Sequence, residues 1–300
     1  MHDPVSEKQV AEAPCLGAES RMNRIDRKFA ELKKENKVAL IPYIMAGYPT
    51  LKASQKIVEA LVAGGADMVE IGIPYSDPLS DGTTIQKASE KALSQGTTTK
   101  SVFALVEQIR KELNIPIILM TYYNTIFRYS PKSVGGRSGL DAFAREASKA
   151  GADGVIAPDL PPEEASSWRK VARGQGLDTI FLLAPTSTKE RIKRVARASE
   201  GFVYCVSLTG VTGARKRLPI DIPQFLNRVR EETSKPLAVG FGVSTPAQAG
   251  ELSPLCDGII IGSALIDAID KEKSLSGMAR AAEDFVSKFQ ELISLKGEVE

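Results

Sequence analysis

Val69-Glu70-Ile71-Gly72-Ile73-Pro74-Tyr75-Ser76-Asp77-Pro78-Leu79-Ser80-Asp81-Gly82-Thr83-Thr84-Ile85-Gln86 sets one acid in a short apolar run, then two prolines, then further acids before a helical pattern resumes. Pro74 and Pro78 end the strand and open a loop, because the residue before a proline is driven out of helical backbone. A carboxylate inside a buried strand is costly unless it is paired or at work. Glu70 is therefore either the partner of a buried cation or a general acid/base whose apolar neighbours raise its pKa. Asp81, eleven residues on, is either the cap of the helix that starts near Thr83 or a second functional carboxylate. One carboxylate held rigidly and one on a mobile loop suit acid–base chemistry under a closing lid. Asp77, between Ser76 and Pro78, reads as a turn or interface residue.

The apolar run is one of a series. Ala63-Gly64-Gly65-Ala66-Asp67 precedes it, and Ala150-Gly151-Ala152-Asp153 precedes Gly154-Val155-Ile156-Ala157 in the same way. Cys256-Asp257 before Gly258-Ile259-Ile260-Ile261 keeps the Asp-then-strand half of the pattern. In the first two, glycine closes a helix, Asp turns the chain and a strand follows. Further apolar runs lie at Val38–Ile44, Ile115–Met120, Thr179–Leu183, Phe202–Val206 and Leu237–Val239. Helical patterns lie between them, at Leu51–Leu61, Ser101–Leu113, Asp141–Lys149, Glu163–Arg173, Lys189–Ala198 and Ile222–Glu232. Eight continuous apolar strands alternating with helices imply a parallel sheet covered on both faces. Their number and spacing fit a closed (β/α)8 barrel, the TIM-barrel class of α/β fold. A doubly wound open sheet is the alternative, and no strand here leads into the glycine fingerprint of its dinucleotide-binding form. An amphipathic segment at Arg24–Lys34 forms an extra N-terminal helix that could cap the barrel floor.

The chain has 300 residues, 43% hydrophobic and 25% charged, with a net charge of +2. That balance is ordinary for a globular protein and gives no basic footprint for nucleic acid. No apolar run is long enough to span a membrane. Residues 1–20 mix acids with small residues, lack the apolar stretch of a secretory leader, and are expected to be a disordered tail. Residues 21–300 are expected to form one catalytic domain. Cys15, Cys205 and Cys256 are far apart, with no metal-ligand spacing, which suits a reducing cytoplasm and a cytoplasmic enzyme. The single histidine is His2, so catalysis is expected to rest on carboxylates, Lys, Tyr, Ser/Thr or backbone amides, with no metal and no cofactor.

In such barrels the functional groups sit at the C-terminal ends of the strands, and phosphates favour the last two loops. Here those loops carry Gly240-Phe241-Gly242 and Gly262-Ser263, the latter opening a helix, and Thr209-Gly210-Val211-Thr212-Gly213 lies on the same rim. Glycines let backbone N–H groups approach phosphate oxygens, and a helix N-terminus adds a favourable dipole. Tyr122, Tyr123 and Tyr204 sit at strand ends, either as pocket walls for an aromatic ligand or as core packing. Asp159, in Pro158-Asp159-Leu160-Pro161-Pro162, reads as structural. No lysine falls in or just after a predicted strand, which argues against a Schiff-base mechanism.

From about Arg24 to Ala281 these segments closely resemble the alpha subunit of tryptophan synthase. The resemblance is carried by the Glu70–Gly82 segment, Pro158–Pro161, Ser207-Leu208-Thr209-Gly210-Val211-Thr212-Gly213, Gly240-Phe241-Gly242 and Gly262-Ser263. It implies a barrel that cleaves indole-3-glycerol phosphate to indole and glyceraldehyde 3-phosphate in tryptophan biosynthesis. It also implies a pyridoxal-phosphate beta subunit that receives the indole, in an assembly of two alpha and two beta chains. On the matching positions, Glu70 is implied as acid/base and Asp81 as the carboxylate facing the indole N–H. Thr212 would hold the closed loop through Asp81. Gly213, Phe241, Gly242, Gly262 and Ser263 would surround the phosphate, while Tyr122, Ile156 and Tyr204 would line the indole cavity. The chain departs from the family at Thr83, where proline is frequent, at Met45, where threonine is common, and in a longer Ser130–Gly139 loop near the partner-facing edge. A stand-alone indole-releasing lyase and a non-catalytic barrel that activates a beta subunit are the alternative readings.

Overall fold

In the computed structural model, residues 22–129, 139–206, 222–240 and 242–293 are described. Nine parallel strand segments follow one another around a barrel: β1 (Ala39–Met45), β2 (Val69–Gly72), β3 (Ile117–Met120), β4 (Gly154–Ile156), β5 (Asp178–Ile180), β6 (Leu182–Leu183), β7 (Val203–Val206), β8 (Leu237–Gly240) and β9 (Gly258–Ile261). Their spatial order is β5-β4-β3-β2-β1-β9-β8-β7-β6. Only Phe181 separates β5 from β6, so the two ends of that order are halves of one stave and the ring has eight. Phe181 bridges the break itself, since its carbonyl accepts the Tyr204 N–H at 3.1 Å.

Among the described residues, twelve α-helices accompany the strands: α1 (Arg24–Lys34), α2 (Leu51–Ala63), α3 (Thr83–Ser94), α4 (Thr99–Glu112), α5 (Tyr123–Phe127), α6 (Gly139–Ala150), α7 (Ser166–Gly174), α8 (Lys189–Ala198), α9 (Ile222–Arg230), α10 (Pro246–Leu252), α11 (Ser263–Asp270) and α12 (Leu275–Ile293). The expected bounds of α1 and α8 coincide with the observed ones. α7 begins three residues later than its pattern suggested, because a turn through Pro161-Pro162 carries the chain first and frees Glu163 to pair with Arg191 and Arg194 on α8. No helix among the described residues is long and apolar enough to cross a membrane.

Among the described residues, two large buried layers hold the barrel, and a smaller third cluster joins Tyr43 and Met45 of β1 to Ile85 on α3 and Ile266 on α11. One large layer lies between strands and helices. The other fills the interior, where Ile41, Met68, Ile118, Ile156, Ile180, Phe202 and Ile260 meet Ile25, Phe29 and Leu32 of α1. α1 therefore does close the floor. Each of its three buried side chains contributes roughly 1.5–3 kcal/mol of burial. The helix starts where it does because Asn23 Oδ1 accepts the Ile25 and Asp26 amides at 2.8 and 3.2 Å.

The repeated aspartates share one structural task. Asp67 accepts the Leu40 N–H, Asp153 the Ile117 N–H and Asp257 the Leu237 N–H, each at 2.9 Å. Each Asp precedes its own strand and holds the start of the neighbouring one, so the motif sets strand register as well as turning the chain. The glycines before the first two, Gly65 at φ +99° and Gly151 at φ +101°, occupy the left-handed region that a helix exit commonly needs.

Candidate active site

β2 exists because Val69, Ile71 and Ile73 are buried against the helical layer, which turns the alternate residues Glu70 and Gly72 into the barrel. Glu70 is fully buried, and both of its carboxyl oxygens are without a hydrogen-bond partner among the described residues. No cation among the described residues pairs with it. Burial, helped by the charge of Asp81, pushes the Glu70 pKa up to about 8.

Asp81 is 7% exposed. It does not cap α3, whose N-cap is Gly82 with no side-chain bond. Burial raises its pKa to about 6, against the opposing hydrogen bond from the Tyr122 hydroxyl. The loop expected to be mobile is tied at several points here. Ser80 N–H donates to the Tyr122 hydroxyl at 2.9 Å, Gln86 Nε2 to the Asp81 carbonyl at 2.9 Å, and Ser89 Oγ bonds both backbone groups of Tyr75. Tyr75 stacks on Tyr122 with ring centroids 4.9 Å apart. Gln86 and Ser89 were not anticipated as site-shaping residues. Their positions on α3, one turn and two turns past the loop, are the signal that could have marked them.

The other expected residues divide. Ile156 and Tyr204 belong to the interior cluster. The Tyr204 ring lies over Gly240, where a Cβ would stand 2.7 Å from it. Tyr123 turns away to begin α5, packs against Phe127 and the outer layer, and donates its amide to Asp159 at 2.8 Å. Asp159 is structural, as its context suggested. Asp77 accepts the Ser76 hydroxyl at 2.5 Å within the turn. Gly242 takes φ +68° just past β8. Gly262 and Ser263 open α11 just past β9, with Gly262 as its N-cap. β8 and β9 are paired in parallel, so these three residues share the C-terminal rim. Thr212, Gly213 and Phe241 lie outside the described residues, as do positions 130–138 of the long loop.

The interior also holds Tyr43, which the sequence did not single out. It is 4% exposed and paired with Glu70 across β1 and β2. Its hydroxyl stands 2.2 Å from where a Cβ on Gly72 would be.

A family model described as tryptophan synthase alpha chain matches residues 29–294. The chain belongs to the tryptophan synthase alpha chain family. The alpha chain of Thermoanaerobacter sp. strain X514 is 45% identical over 272 residues, covering 91% of this chain and 100% of that one. The alpha chain of Geobacter sulfurreducens is 44% identical over 272 residues, covering 91% and 99%. Among solved structures, Mycobacterium tuberculosis tryptophan synthase aligns with a TM-score of 0.81 at 38% identity, covering 91% of this chain and 98% of that one. The Legionella pneumophila alpha subunit gives 0.81 at 37%, with the same coverage. As a tryptophan synthase alpha chain, the protein is an enzyme of the carbon–carbon lyase class, acting in tryptophan biosynthesis on indole-3-glycerol phosphate.

Proposed function

We propose that Glu70 and Asp81 carry out the cleavage of indole-3-glycerol phosphate to indole and glyceraldehyde 3-phosphate. The observation that carries this reading is an unpartnered, buried Glu70 within the field of Asp81. A carboxyl with a pKa near 8 is protonated at neutral pH and serves first as an acid. Glu70 gives its proton to C3 of the indole, and the positive charge moves to the ring nitrogen. Asp81, ionised above about pH 6, stabilises that charge. The Glu70 carboxylate then takes the proton of the hydroxyl on the carbon attached to C3. That C–C bond breaks, its electrons neutralise the ring, and the aldehyde forms. The net change is one proton moved from oxygen to carbon, with Glu70 restored.

In this reading the phosphate rests on the glycine-lined rim at Gly242, Gly262 and Ser263, together with Gly213 and Phe241. Tyr122, Ile156 and Tyr204 wall the indole, and Thr212 secures the loop. The rim also supports a partner. Leu79 is 91% exposed at the tip of the catalytic loop and Phe127 55% exposed on α5. Apolar side chains held in water at the product exit favour docking, and indole crosses membranes readily unless a second subunit receives it. A beta subunit is the occupant this reading assigns.

Indole release from indole-3-glycerol phosphate by the purified chain, with and without a beta subunit, tests the proposal. Turnover alone, stimulated by the partner, is the expected result. Turnover that the partner leaves unchanged would mark a stand-alone lyase. No turnover under either condition, with the beta subunit still activated, would mark a non-catalytic barrel.

A further inference from the structure

We propose that Tyr43 is a positioning residue for Glu70, donating its hydroxyl hydrogen to the Glu70 carboxylate that forms after proton transfer. This deepens the acid–base reading and rests on it. Three observations bring the phenol near Glu70, with which it makes no hydrogen bond in this structure. Tyr43 and Glu70 are direct partners across β1 and β2 and project into the same interior. The hydroxyl sits over Gly72, two residues beyond Glu70 on the same face, a displacement of about 6.6 Å along a strand. That puts it one side-chain layer above Glu70, on the side of the loop that carries Asp81. The ring runs past Gly262, with Cδ1 3.4 Å from the position a Cβ would take there, and Gly72, lacking a Cβ, leaves room for the hydroxyl.

Among the described residues, the charged and titratable groups around Glu70 are Asp81 on the loop, Tyr43 on β1, Tyr204 on β7 and, beyond Asp81, Tyr122 just past β3. Ile118 and Ile156 supply the apolar remainder. Burial and the nearby acids hold the Tyr43 phenol far above its ordinary pKa, so it keeps its proton and acts only as a neutral O–H. Tyr122 is committed to Asp81 and to Ser80. A newly formed Glu70 carboxylate meets no cation among the described residues, and a buried anion needs donors.

The test is the pH profile of kcat for wild type and for Tyr43→Phe, Gly72→Ala and the double variant, with Glu70→Gln as reference. Tyr43→Phe keeps the ring and removes only the donor. It should lower kcat roughly 10- to 100-fold, the range for a hydrogen bond to a charged group. KM should stay within about twofold and the alkaline limb should move to higher pH, because the ionised form of Glu70 loses support. Gly72→Ala displaces the hydroxyl and should reproduce both effects, and the double variant should be no worse than the worse single. An unmoved alkaline limb with kcat near wild type in Tyr43→Phe overturns the proposal. So does a rise in KM alone, which would mean that Tyr43 touches the substrate instead. If Glu70→Gln retains activity, it is the acid–base reading itself that fails, whatever Tyr43 does.

Discussion

Asp81 and Glu70 occupy one electrostatic field at the barrel mouth, where the charge of Asp81 adds to burial in keeping the Glu70 proton in place. Two acids in one barrel are thereby driven to different states, about 6 and about 8. Separation of this kind divides roles between otherwise similar groups.

The first consequence is a bell-shaped pH dependence. Asp81 must be ionised, so kcat/KM falls as pH drops through about 6. Glu70 must hold its proton, so kcat/KM falls again as pH rises through about 8. Since the two groups interact, the limbs belong to the pair. Initial rates of indole release from about pH 5 to about pH 9.5 measure both limbs, and a flat profile would rule out the pairing.

Glu70→Gln separates activity from stability. It should cost about 10² to 10⁴ in rate while leaving the fold intact. The ordinary carboxyl value is 4.5 and the folded value about 8, so across that window the native state holds a proton that the unfolded chain has lost. Stability contributed by the protonated acid is therefore present below the lower value and lost as pH rises toward the higher one. A neutral Gln escapes that loss. The variant should melt higher than wild type at about pH 9, by on the order of 1–3 kcal/mol, with the difference vanishing near pH 4; calorimetry at both pH values checks the sign.

At Asp81 two substitutions report on different things. Asp81→Asn should reduce kcat strongly and leave affinity for glycerol phosphate nearly unchanged, because the partner proposed for it is the indole nitrogen. An equal loss of affinity would assign Asp81 to the phosphate. Tyr122→Phe removes the donor that lowers the Asp81 pKa, so the acidic limb should move upward in pH. It also takes the acceptor from the Ser80 N–H, and faster amide exchange at Ser80 is expected alongside.

Among the register-setting aspartates, Asp153 should matter most. Its side chain is 3% exposed and pairs with Arg24 at 2.8 Å and Arg110 at 3.0 Å, besides the Ile117 amide. Asp153→Ala should destabilise by about 3 kcal/mol or more, the usual effect of breaking a buried pair. Asp257 does the same work at 26% exposure, so its alanine variant should cost less. Urea midpoints with an unchanged slope would establish the ranking.

The docking surface proposed for a beta subunit leads to a last prediction. Leu79→Asp should weaken a beta subunit's binding at least tenfold by titration calorimetry, since a charge replaces the exposed apolar side chain proposed to dock there. Uncoupled lyase activity should survive. Shortening Pro131–Ser138 should also change the affinity, because ordering a long loop costs roughly 1 kcal/mol or more per residue. Equal affinities for all three chains would place the interface elsewhere.

Much of this molecule was legible in one dimension. Parallel strands covered on both faces must be apolar throughout, so the runs ending at Ile73, Met120 and Ile261 announced themselves, and eight of them with helices between leave little but a barrel. α1 was readable because a single face of Ile25, Phe29 and Leu32 must be buried somewhere. The break at Phe181 was not, because Ile180 to Leu183 is apolar throughout and nothing local interrupts it. Glu70 and Asp81 were marked by their own cost, as acids where acids are expensive. Whether Glu70 met a cation was undecidable along the chain, since that depends on side chains delivered by other strands. Tyr43 lies 27 positions before Glu70 in a run where an aromatic residue is unremarkable. Only the pairing of β1 with β2 sets its hydroxyl over Gly72, because register is a property of the closed sheet and not of either strand alone.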